Sequence, residues 1–365
     1  MKIGFDAKRL YNNFTGLGNH SRTTIDILTA NFPENEYYLY TPKVKQNDVT
    51  LPYLQLKGCH TVQPHGLLRG SAWRTFGMAS DVKHDGIELF HGLSNEMPVG
   101  LFHSGIPTVV TIHDVAFRTF TDMYHWHDRQ IYDIKWRYAC NHADRIIAIS
   151  EGTKKDVIKF YGVPEHKVDI VYQPVNPRYY TPIERSHTSP YMLYVGSVNS
   201  RKNLLGIVKA MELMPKDLQI PLKVVGGGGA YKKTVREYIA THNMEHLFEW
   251  TETIDNAELQ RLYTNAQLMA YPSFYEGFGL PIVEAQLCGC PVVTSNVSCL
   301  PEIGGPYAMK ADPNSPEDIC NQMIKLLTDD AFRQVQSEGG RQRAMQTFHP
   351  TVLAKQLMSI YNKCV

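Results

Sequence analysis

The sequence has little excess charge and no long apolar run. Lys and Arg total 37 and Asp and Glu total 36, so the formal net charge is +1. A surplus this small builds no wide basic face that would gather phosphates, and we expect no nucleic-acid partner. Apolar runs such as residues 146–149 have the length of a strand, far short of the ~20 apolar residues that span a bilayer.

We also expect no disulfide framework and no signal peptide. The seven cysteines stand at positions 59, 140, 288, 290, 299, 320 and 364, without a C-x-x-C pair. This spacing argues against a disulfide framework or a zinc ribbon and favours reduced thiols in a cytoplasmic protein. The opening residues MKIGFDAKRL lack the apolar region of a signal peptide and predict a strand. His125 and His127 have no convincing ligand spacing, so no metal site is expected.

Length and pattern predict two α/β domains. At ~150 residues per domain, 365 residues suggest two. Short apolar strands alternate with helical segments, which predicts doubly wound parallel sheets with helices on both faces. The opening strand–loop–helix pattern restarts after Pro190, and two prolines within residues 172–177 mark a linker. We therefore predict an N-terminal domain over 1–176 and a C-terminal domain over 177–349. A last helix over about 350–365 is expected to pack back on the first domain.

Local signals in the N-terminal half give three further expectations. Residues 15–19 predict a Gly-rich loop, followed by a helix over 21–30. Gly16 and Gly18 of the loop would let the chain approach a phosphate or an acceptor. Ser150 is expected to cap the helix that follows it. Residues 67–76 mix basic and aromatic side chains, which is compatible with contact to a membrane surface or a lipid-linked acceptor. An ordinary surface helix with one buried stripe is the favoured alternative for this last segment.

The most informative stretch follows a strand predicted over 267–271. Two glutamates, Glu276 and Glu284, stand either side of a glycine-bearing turn and have seven residues between them. Pro281 suits the first turn of a helix, where its missing N–H is no loss. Free N–H groups at that helix start would form an anion site that Gly277 and Gly279 leave open. We expect Glu284 in the first helical turn, where the helix dipole favours a carboxylate, and in place to accept hydrogen bonds from a ribose diol.

This pattern resembles the E-x7-E signature of the retaining glycosyltransferases of family 4, which have the GT-B fold. Three other segments resemble motifs of the same family: the H-D motif at 112–114, an A-D-x-I-I-x-x-S-E segment at 143–151, and a G-x4-R-K-N loop at 196–203. The resemblance runs in order over nearly the whole chain. It implies two Rossmann-like domains that face each other across a cleft, with the acceptor mostly on the first domain and a nucleotide sugar mostly on the second.

The resemblance also implies roles for individual residues. Arg201 and Lys202 would pair with the donor diphosphate, Arg201 as a planar fork and Lys202 as a point charge. His113, at the end of a strand, would hydrogen-bond the donor sugar, and the residues around Ile254 would lie opposite the base. The catalytic residues expected are His113 and Glu276. The donor-binding residues expected are Gly16, Gly18, Gly196, Ser197, Arg201, Lys202, Ile254, Glu276, Gly277, Phe278, Gly279, Leu280 and Glu284.

No cofactor and no metal are expected beside the nucleotide sugar. The C-terminal domain contains no D-x-D motif, and backbone amides near 278–280 with the two cations would stabilise charge on the leaving phosphate. The glycine run at 226–229 suggests a dinucleotide fingerprint, but that pattern would need glycine at position 231, where Tyr231 stands. NAD binding is therefore weakly supported.

The resemblance implies a retaining glycosyltransferase that moves a sugar to a saccharide or a lipid-linked saccharide. Its H-D and R-K-N motifs resemble those of members that use GDP-mannose, while UDP-glucose, UDP-galactose and UDP-N-acetylglucosamine stay open as donors. A GT-B nucleotide-sugar epimerase and a non-catalytic nucleotide-sugar binder are the alternatives. The location expected is the cytoplasm, with peripheral contact to the inner face of the membrane as a variant.

Overall fold

The computed structural model describes residues 1–66, 68–186 and 189–365. These residues form two compact units, one of residues 1–174 with 350–365 and one of residues 175–349. The boundary expected from the sequence is residue 176, and the division falls after Pro174. Each unit is described by itself below.

Unit 1 is built on a parallel sheet that has seven strands in the described residues. The strands are β1 (Lys2–Asp6), β2 (Glu36–Tyr40), β3 (Cys59–Val62), β4 (Leu89–Gly92), β5 (Thr108–Ile112), β6 (Arg145–Ala148) and β7 (Val168–Ile170). They lie in the order β3-β2-β1-β4-β5-β6-β7, and β1 pairs with β2 on one side and β4 on the other. Strand β5 is buried along its whole length, as expected for a central strand that helices cover on both faces.

The helices of unit 1 follow the strands. They are α1 (Lys8–Asn12), α2 (Gly16–Asn31), α3 (Leu51–Leu54), α4 (Gly70–Ala72), α5 (Met78–His84), α6 (Ala116–Thr119), α7 (Trp126–His142) and α8 (Glu151–Tyr161), with a π-helical turn at Trp73–Gly77 and 3-10 turns at Leu101–His103, Thr121–Met123 and Glu165–Lys167. The expected cap of α8 is confirmed, because Ser150 Oγ accepts a hydrogen bond of 3.0 Å from the Thr153 N–H.

Unit 2 repeats the same architecture with six strands in its described part. They are β8 (Met192–Val195), β9 (Leu222–Val225), β10 (Phe248–Thr251), β11 (Leu268–Tyr271), β12 (Val292–Ser295) and β13 (Ala308–Ala311), in the order β10-β9-β8-β11-β12-β13. The helices are α9 (Leu204–Leu213), α10 (Ala230–Thr241), α11 (Asn256–Asn265), α12 (Leu280–Leu287), α13 (Leu300–Gly304), α14 (Pro316–Thr328) and α15 (Asp330–Thr347), with 3-10 turns at Pro177–Tyr180, Ser200–Lys202, Lys216–Leu218, Glu245–Leu247 and Gly305–Tyr307. All pairings are parallel, so the prediction of two Rossmann-like, doubly wound units is confirmed.

The last helix, α16 (Pro350–Cys364), belongs to unit 1. Its apolar face, which includes Leu353, Leu357 and Tyr361, is buried in the same core as residues of β1 and α2. The Tyr361 hydroxyl also lies 2.6 Å from Nδ1 of the buried His91. The helix therefore completes the core of a unit whose other residues lie more than 170 positions earlier in the chain.

The predicted Gly-rich loop at residues 15–19 is wrong, because α2 already begins at Gly16. The reason lies in the packing of Gly18: a Cβ there would stand 1.8 Å from the carbonyl oxygen of Asn13. Glycine lets the first turn of α2 approach the end of α1, and Asn13 Oδ1 accepts hydrogen bonds from the N–H groups of Thr15 and Gly18. Nothing lies within 4 Å of a Cβ added to Gly16.

The mixed segment at 67–76 is helical from residue 70 onward, and Leu67 lies outside the described residues. Trp73 and Arg74 are buried, whereas Phe76 is 65% exposed. Contact of this segment with a membrane stays a prediction. In the ranges that the structure covers, no helix combines the length and the apolar character that a bilayer crossing needs.

The two glycines of α2 offer a matched pair of variants. We expect Gly18→Ala to lower the free energy of unfolding by about 1–3 kcal/mol, because the new methyl group overlaps a backbone carbonyl. Gly16→Ala adds the same methyl group in open space and is expected to leave stability unchanged or slightly higher. Urea denaturation of both variants checks this, and equal midpoints would contradict the assigned contact with Asn13.

Candidate functional site

The candidate site of unit 2 lies where the strand order reverses. Strands β8 and β11 are neighbours at the centre of the sheet, and the chain leaves them in opposite directions across it. In open parallel sheets, ligands bind in the crevice at the carboxyl ends of such a strand pair. The segment after β8 carries Arg201 and Lys202, and the segment after β11 carries Glu276, so the topology brings the two predicted motifs to one place.

The segment after β8 is held by close backbone contacts. The Gly196 N–H donates to Val225 O at 2.9 Å, and the Val198 N–H donates to Gly227 O at 2.8 Å. A Cβ on Gly226, where φ is +144°, would lie 2.0 Å from Gly196 O. The glycine run at 226–229 therefore serves the packing of two adjacent strand ends, a structural role that does not need a dinucleotide.

A 3-10 turn at Ser200–Lys202 and the cap of α9 fix the two cations. Asn203 accepts a hydrogen bond from the Gly206 N–H and donates from Nδ2 to the carbonyl oxygens of Pro272 and Pro313 at 3.1 and 2.8 Å. The Phe274 N–H in turn donates to Arg201 O at 2.8 Å. The Asn of the G-x4-R-K-N motif thus ties the segment that carries Arg201 and Lys202 to the segment after β11.

Glu276 is buried between the two cations. Its Oε2 lies 2.9 Å from Arg201 Nη1, and its Oε1 lies 2.7 Å from Lys202 Nζ. The hydroxyls of Tyr271 and Ser273 also donate to Oε1, at 2.9 and 3.0 Å. A carboxylate that accepts this many hydrogen bonds has its position and rotamer fixed before any ligand arrives.

The surroundings keep Glu276 ionised. Burial by itself raises the pKa of this carboxyl group, but the charges of Lys202 and Arg201 outweigh burial and lower the pKa to about 2. Glu276 is therefore a weak proton acceptor at neutral pH and a strong hydrogen-bond acceptor. With one carboxylate and two cations, the cluster keeps a net charge of +1.

The backbone of Glu276 is anchored by residues that the sequence analysis missed. Ser298, at φ +59°, donates from Oγ to Glu276 O at 2.7 Å, and the same Oγ accepts a hydrogen bond of 3.2 Å from the Glu276 N–H. Cys299 Sγ lies 3.0 Å from Glu276 O. Tyr271, Ser273, Ser298 and Cys299 belong to none of the predicted motifs. The available signal was the position of Ser273, two residues after β11, at the strand end where ligands bind.

The second glutamate is placed differently from the prediction. Helix α12 begins at Leu280, with Pro281 in its first turn as expected, and that turn contains no acidic residue. Glu284 is the fifth residue of α12, so the expected first-turn position is wrong and the helix dipole is not what stabilises its charge. Its Oε2 accepts a hydrogen bond of 2.9 Å from the hydroxyl of Tyr263 on α11.

Glu284 is electrostatically the opposite of Glu276. Burial raises its pKa to about 7, and the hydrogen bond from Tyr263 offsets burial only in part. The pKa of the buried Tyr179 is raised as well, first by burial and then by the charge of Glu284. The structure thus brings Gly196, Arg201, Lys202 and Glu276 into one cluster, whereas Glu284 has its own partners on α11.

His113 belongs to unit 1 and follows β5, as the sequence predicts. It is buried, with Nε2 2.9 Å from Leu93 O and Nδ1 2.8 Å from Gln173 Nε2. These partners place the ring proton on Nε2, and burial lowers the pKa to about 4, so the imidazole is neutral. Both ring nitrogens thus already have protein partners. The contact with a donor sugar that the resemblance implies stays a prediction.

The remaining predicted residues of unit 2 lie outside the cluster of Glu276 with Arg201 and Lys202. Ser197 is exposed, and its Oγ accepts a hydrogen bond of 3.0 Å from Asn199 Nδ2. Ile254 is half-buried just before α11, whose first turn is capped by Asp255. Gly277, Phe278 and Gly279 form the entry to α12, and Phe278 is buried. Donor contacts of these residues, and the absence of a metal, stay predictions.

Known families match both halves of the chain. The family described as "Glycosyltransferase Family 4" matches residues 25–179, and the family described as "Glycosyl transferases group 1" matches residues 180–343. Among curated relatives, the chain is 30% identical over 271 residues to O-antigen chain mannosyltransferase B of Escherichia coli, which covers 71% of this chain and 70% of that protein.

Solved structures support the fold. Sucrose-phosphate synthase from Thermosynechococcus elongatus has a TM-score of 0.78 at 20% identity, over 100% of this chain and 98% of that one. Anabaena HepE in complex with UDP-glucose has a TM-score of 0.73 at 18% identity, over 100% of both chains. These likenesses, with the two sheets described above, confirm the predicted GT-B fold class.

The raised pKa of Glu284 predicts a pH-dependent stability. Between pH 4.5, the ordinary pKa, and about pH 7, the unfolded chain releases this proton while the folded chain retains it, so the wild type loses stability as the pH rises through that window. Glu284→Gln does not titrate there. We expect its melting temperature to exceed that of the wild type at pH 8 and to approach it at pH 4.5.

Thermal unfolding at both pH values measures this difference, with the exposed Glu245→Gln as the matched control. A Glu284→Gln shift that is equal at pH 4.5 and pH 8 would show that burial does not raise this pKa.

Proposed function

The chain belongs to glycosyltransferase family 4, and on that premise we propose that it is a retaining mannosyltransferase that uses GDP-mannose and extends a saccharide or a lipid-linked saccharide. The observation that carries the donor assignment is the cluster of Arg201, Lys202 and Glu276 at the switch point of unit 2. Mannosyl transfer is supported by the Escherichia coli relative, and a nucleotide sugar by the complex of HepE with UDP-glucose.

A diphosphate fits the charge of this cluster. Arg201 and Lys202 share one carboxylate, so the cluster has a positive charge in excess and attracts a doubly charged anion. The diphosphate would take over hydrogen bonds that Glu276 now accepts from the cations. Glu276 would still be oriented by the hydroxyls of Tyr271 and Ser273, and its released acceptor capacity would serve hydroxyls of the donor sugar.

The pKa of Glu276 restricts its part in the reaction. A group with a pKa of about 2 takes up protons poorly at neutral pH, so we assign Glu276 to binding and orientation and not to general-base catalysis. In the proposed step, the bond from the anomeric carbon to the leaving phosphate breaks, and the acceptor hydroxyl attacks from the same face. Attack from that face preserves the anomeric configuration. The proton of the acceptor hydroxyl passes to the leaving phosphate oxygen. Arg201 and Lys202 stabilise the charge that develops on that phosphate.

The compartment we propose is a reducing one. The seven cysteines are all free in the described structure, and burial raises the pKa of the thiols of Cys140 and Cys288 to about 12. Thiols that stay protonated at neutral pH are poor nucleophiles for disulfide exchange. The cytoplasmic location itself is supported by the seven cysteines that form no disulfide framework.

Substitution of Glu276 tests the central assignment. In Glu276→Gln, release of GDP from GDP-mannose in the presence of mannose-ended oligosaccharides is expected to fall by about 100-fold or more, because the sugar loses its charged acceptor. Affinity for GDP alone is expected to stay equal or to rise, since Arg201 and Lys202 no longer share their charge with a carboxylate.

Steady-state kinetics and calorimetry with GDP measure the two effects separately, and circular dichroism checks folding. The exposed Glu245→Gln in the same unit is the control for loss of a carboxylate. Wild-type turnover in Glu276→Gln would refute the role of this cluster.

The donor itself is tested by thermal shift. A ligand that binds only the folded state raises the melting temperature, so GDP-mannose is expected to stabilise the protein more than UDP-glucose, UDP-galactose or UDP-N-acetylglucosamine. Proton NMR of the product reports the anomeric configuration, and we expect retention. A sugar altered by incubation with donor alone would indicate an epimerase, and binding without turnover on any acceptor would indicate a non-catalytic binder.

A further inference from the structure

Unit 2 has a cavity of about 630 Å³ at the end of its sheet opposite to the Glu276 cluster. Glu276 follows β11, whereas the cavity is lined by residues that precede strands: Thr264 lies before β11 and Cys288 lies before β12. A strand of four residues spans about 13 Å, so the depth of the sheet separates the two places. The described residues that line the cavity all belong to unit 2, and its volume is one that small molecules occupy.

Two helices end at this cavity. Helix α11 ends at Asn265 and α12 ends at Leu287, and the strands that follow them, β11 and β12, are neighbours in the sheet. The side chains of Thr264 and Cys288 interact where the two helix ends meet. The last carbonyl groups of a helix have no partner within it and carry a partial negative charge. The two helix ends therefore favour cations at this place.

Two arginines that line the cavity supply these cations. Arg185 donates from Nε to Thr264 O at 2.7 Å and from Nη2 to Ala266 O at 3.1 Å. Arg341, on α15, donates from Nε to Leu287 O at 3.1 Å. Each guanidinium group thus binds the carbonyl end of one helix, and the backbone holds it at a fixed place.

Both guanidinium groups keep donors for a ligand. Within the ranges that the structure describes, neither Arg185 nor Arg341 forms an ion pair, and Nη1 of Arg185 and both Nη atoms of Arg341 make no hydrogen bond. A guanidinium group has five N–H donors in a planar fork that matches the oxygens of a phosphate or a carboxylate. The cavity therefore presents two positive charges whose outer donors face no carboxylate in direct contact.

Helix α15 forms the polar wall of the cavity. One face of this helix, at positions i, i+3, i+4, i+7 and i+8, carries the lining residues Glu338, Arg341, Gln342, Met345 and Gln346. Glu338 Oε1 accepts a hydrogen bond of 2.8 Å from Gln334 Nε2, and Oε2 accepts none from a described residue. The exposed amides of Gln342 and Gln346 offer both donors and acceptors. This wall suits a ligand with several hydroxyl groups.

The charges select an anion that carries hydroxyl groups. A cation would meet Arg185 and Arg341, and an apolar molecule would cover their charges without hydrogen bonds. A bare anion would use both arginines but would leave the carboxylate of Glu338 without a donor. A phosphate monoester has about two negative charges at neutral pH, which matches two arginines better than a single carboxylate does. A hydroxylated ring on that phosphate offers donors to Glu338 and C–H groups to the lining residues Ile183 and Leu287.

We propose that this cavity is a second ligand site of unit 2 and binds a phosphate monoester of a hydroxylated ring, a sugar phosphate or a nucleoside monophosphate, with its phosphate on Arg185 and Arg341. The assignment does not rest on the proposed function, which uses the opposite end of the sheet. Helix α12 begins at that opposite end, after Gly279, and ends at the carbonyl group that Arg341 binds.

Methyl NMR on the full chain tests the site through its own residues. The probes are mannose 1-phosphate, glucose 6-phosphate and GMP, observed at the labelled methyl groups of Ile183 and Met345, with inorganic phosphate as the reference. We expect at least one ester to give saturable shifts at both residues and to bind at least about 10-fold more tightly than inorganic phosphate, because the ring adds hydrogen bonds. Absence of saturable shifts with all three esters would overturn the proposal. Equal affinity for inorganic phosphate would overturn the ligand class.

Variants test the contact of the phosphate with the two arginines. In Arg341→Gln and in Arg185→Gln, the dissociation constant of the bound ester is expected to rise about 10-fold or more, because hydrogen bonds between charged groups are lost. Arg185 is exposed, so its replacement keeps the test decisive if Arg341→Gln folds poorly. The exposed Arg236→Gln on α10 is the matched control and is expected to leave the constant unchanged. An unchanged constant in both Arg185→Gln and Arg341→Gln would refute the site.

Competition with GDP separates this site from the candidate site at the other end of the sheet. Saturating GDP is expected to leave the shifts of Ile183 and Met345 and the dissociation constant of the ester unchanged. Displacement of the ester by GDP would place it at the Glu276 cluster and would overturn the proposal. Saturable shifts in a protein that transfers no sugar would refute the proposed function alone.

Discussion

The pairing of Glu276 with Arg201 and Lys202 is the interaction on which the site of unit 2 depends. It joins the segments that follow two neighbouring strands, and it does so with charges that are largely shielded from water. Removal of charges from water is expensive, and a buried ion pair is a weak source of stability. In the proposed function its value lies in readiness, because the two cations are already fixed and partly shielded from water before an anionic ligand arrives.

The same place also imposes a constraint on the backbone. Gly196 and Gly226 approach so closely that a side chain on Gly226 would overlap the neighbouring carbonyl. The glycines therefore bring two strand ends together, and that contact sets the starting point from which Arg201 and Lys202 reach Glu276. The two glutamates of the motif then divide between opposite environments, one stabilised as an anion by two cations and one destabilised as an anion by burial.

Sequence reasoning predicted most of the fold and about half of the cluster. Apolar runs and their alternation with helices locate strands well, because buried parallel strands such as β5 have almost no polar residues. Arg201, Lys202 and Glu276 could be predicted because each lies in a short motif whose residue spacing is visible in the sequence. The start of a helix is less certain from sequence: α12 begins at Leu280, so Glu284 is its fifth residue and lies just beyond the first turn. At α2, the contact of Gly18 with Asn13 could not be predicted, since glycine in a sequence does not show which atom it makes room for.

Partners that come from distant parts of the chain were beyond sequence reasoning altogether. Ser298 and Cys299 reach Glu276 because β12 pairs with β11, and nothing in their local sequence marks them. Asp6, Arg74 and Glu96 are separated by 68 and 22 positions along the chain, and only the fold of unit 1 brings them into one ion-paired network. The composition counts only acidic and basic residues, so it does not show which of them form an ion-paired network.

The membership of α16 in unit 1 has a consequence for biosynthesis. A nascent chain leaves the ribosome from its N-terminus, so the strands of unit 1 are exposed to the cell long before residues 350–364 exist. All residues of unit 2 are synthesised before α16. Until α16 is made, the apolar residues of β1 and α2 that it covers in unit 1 stay uncovered. The first half of the chain is therefore exposed to misfolding and aggregation during translation. Packing of Tyr361 and its neighbours on this surface completes the core of unit 1.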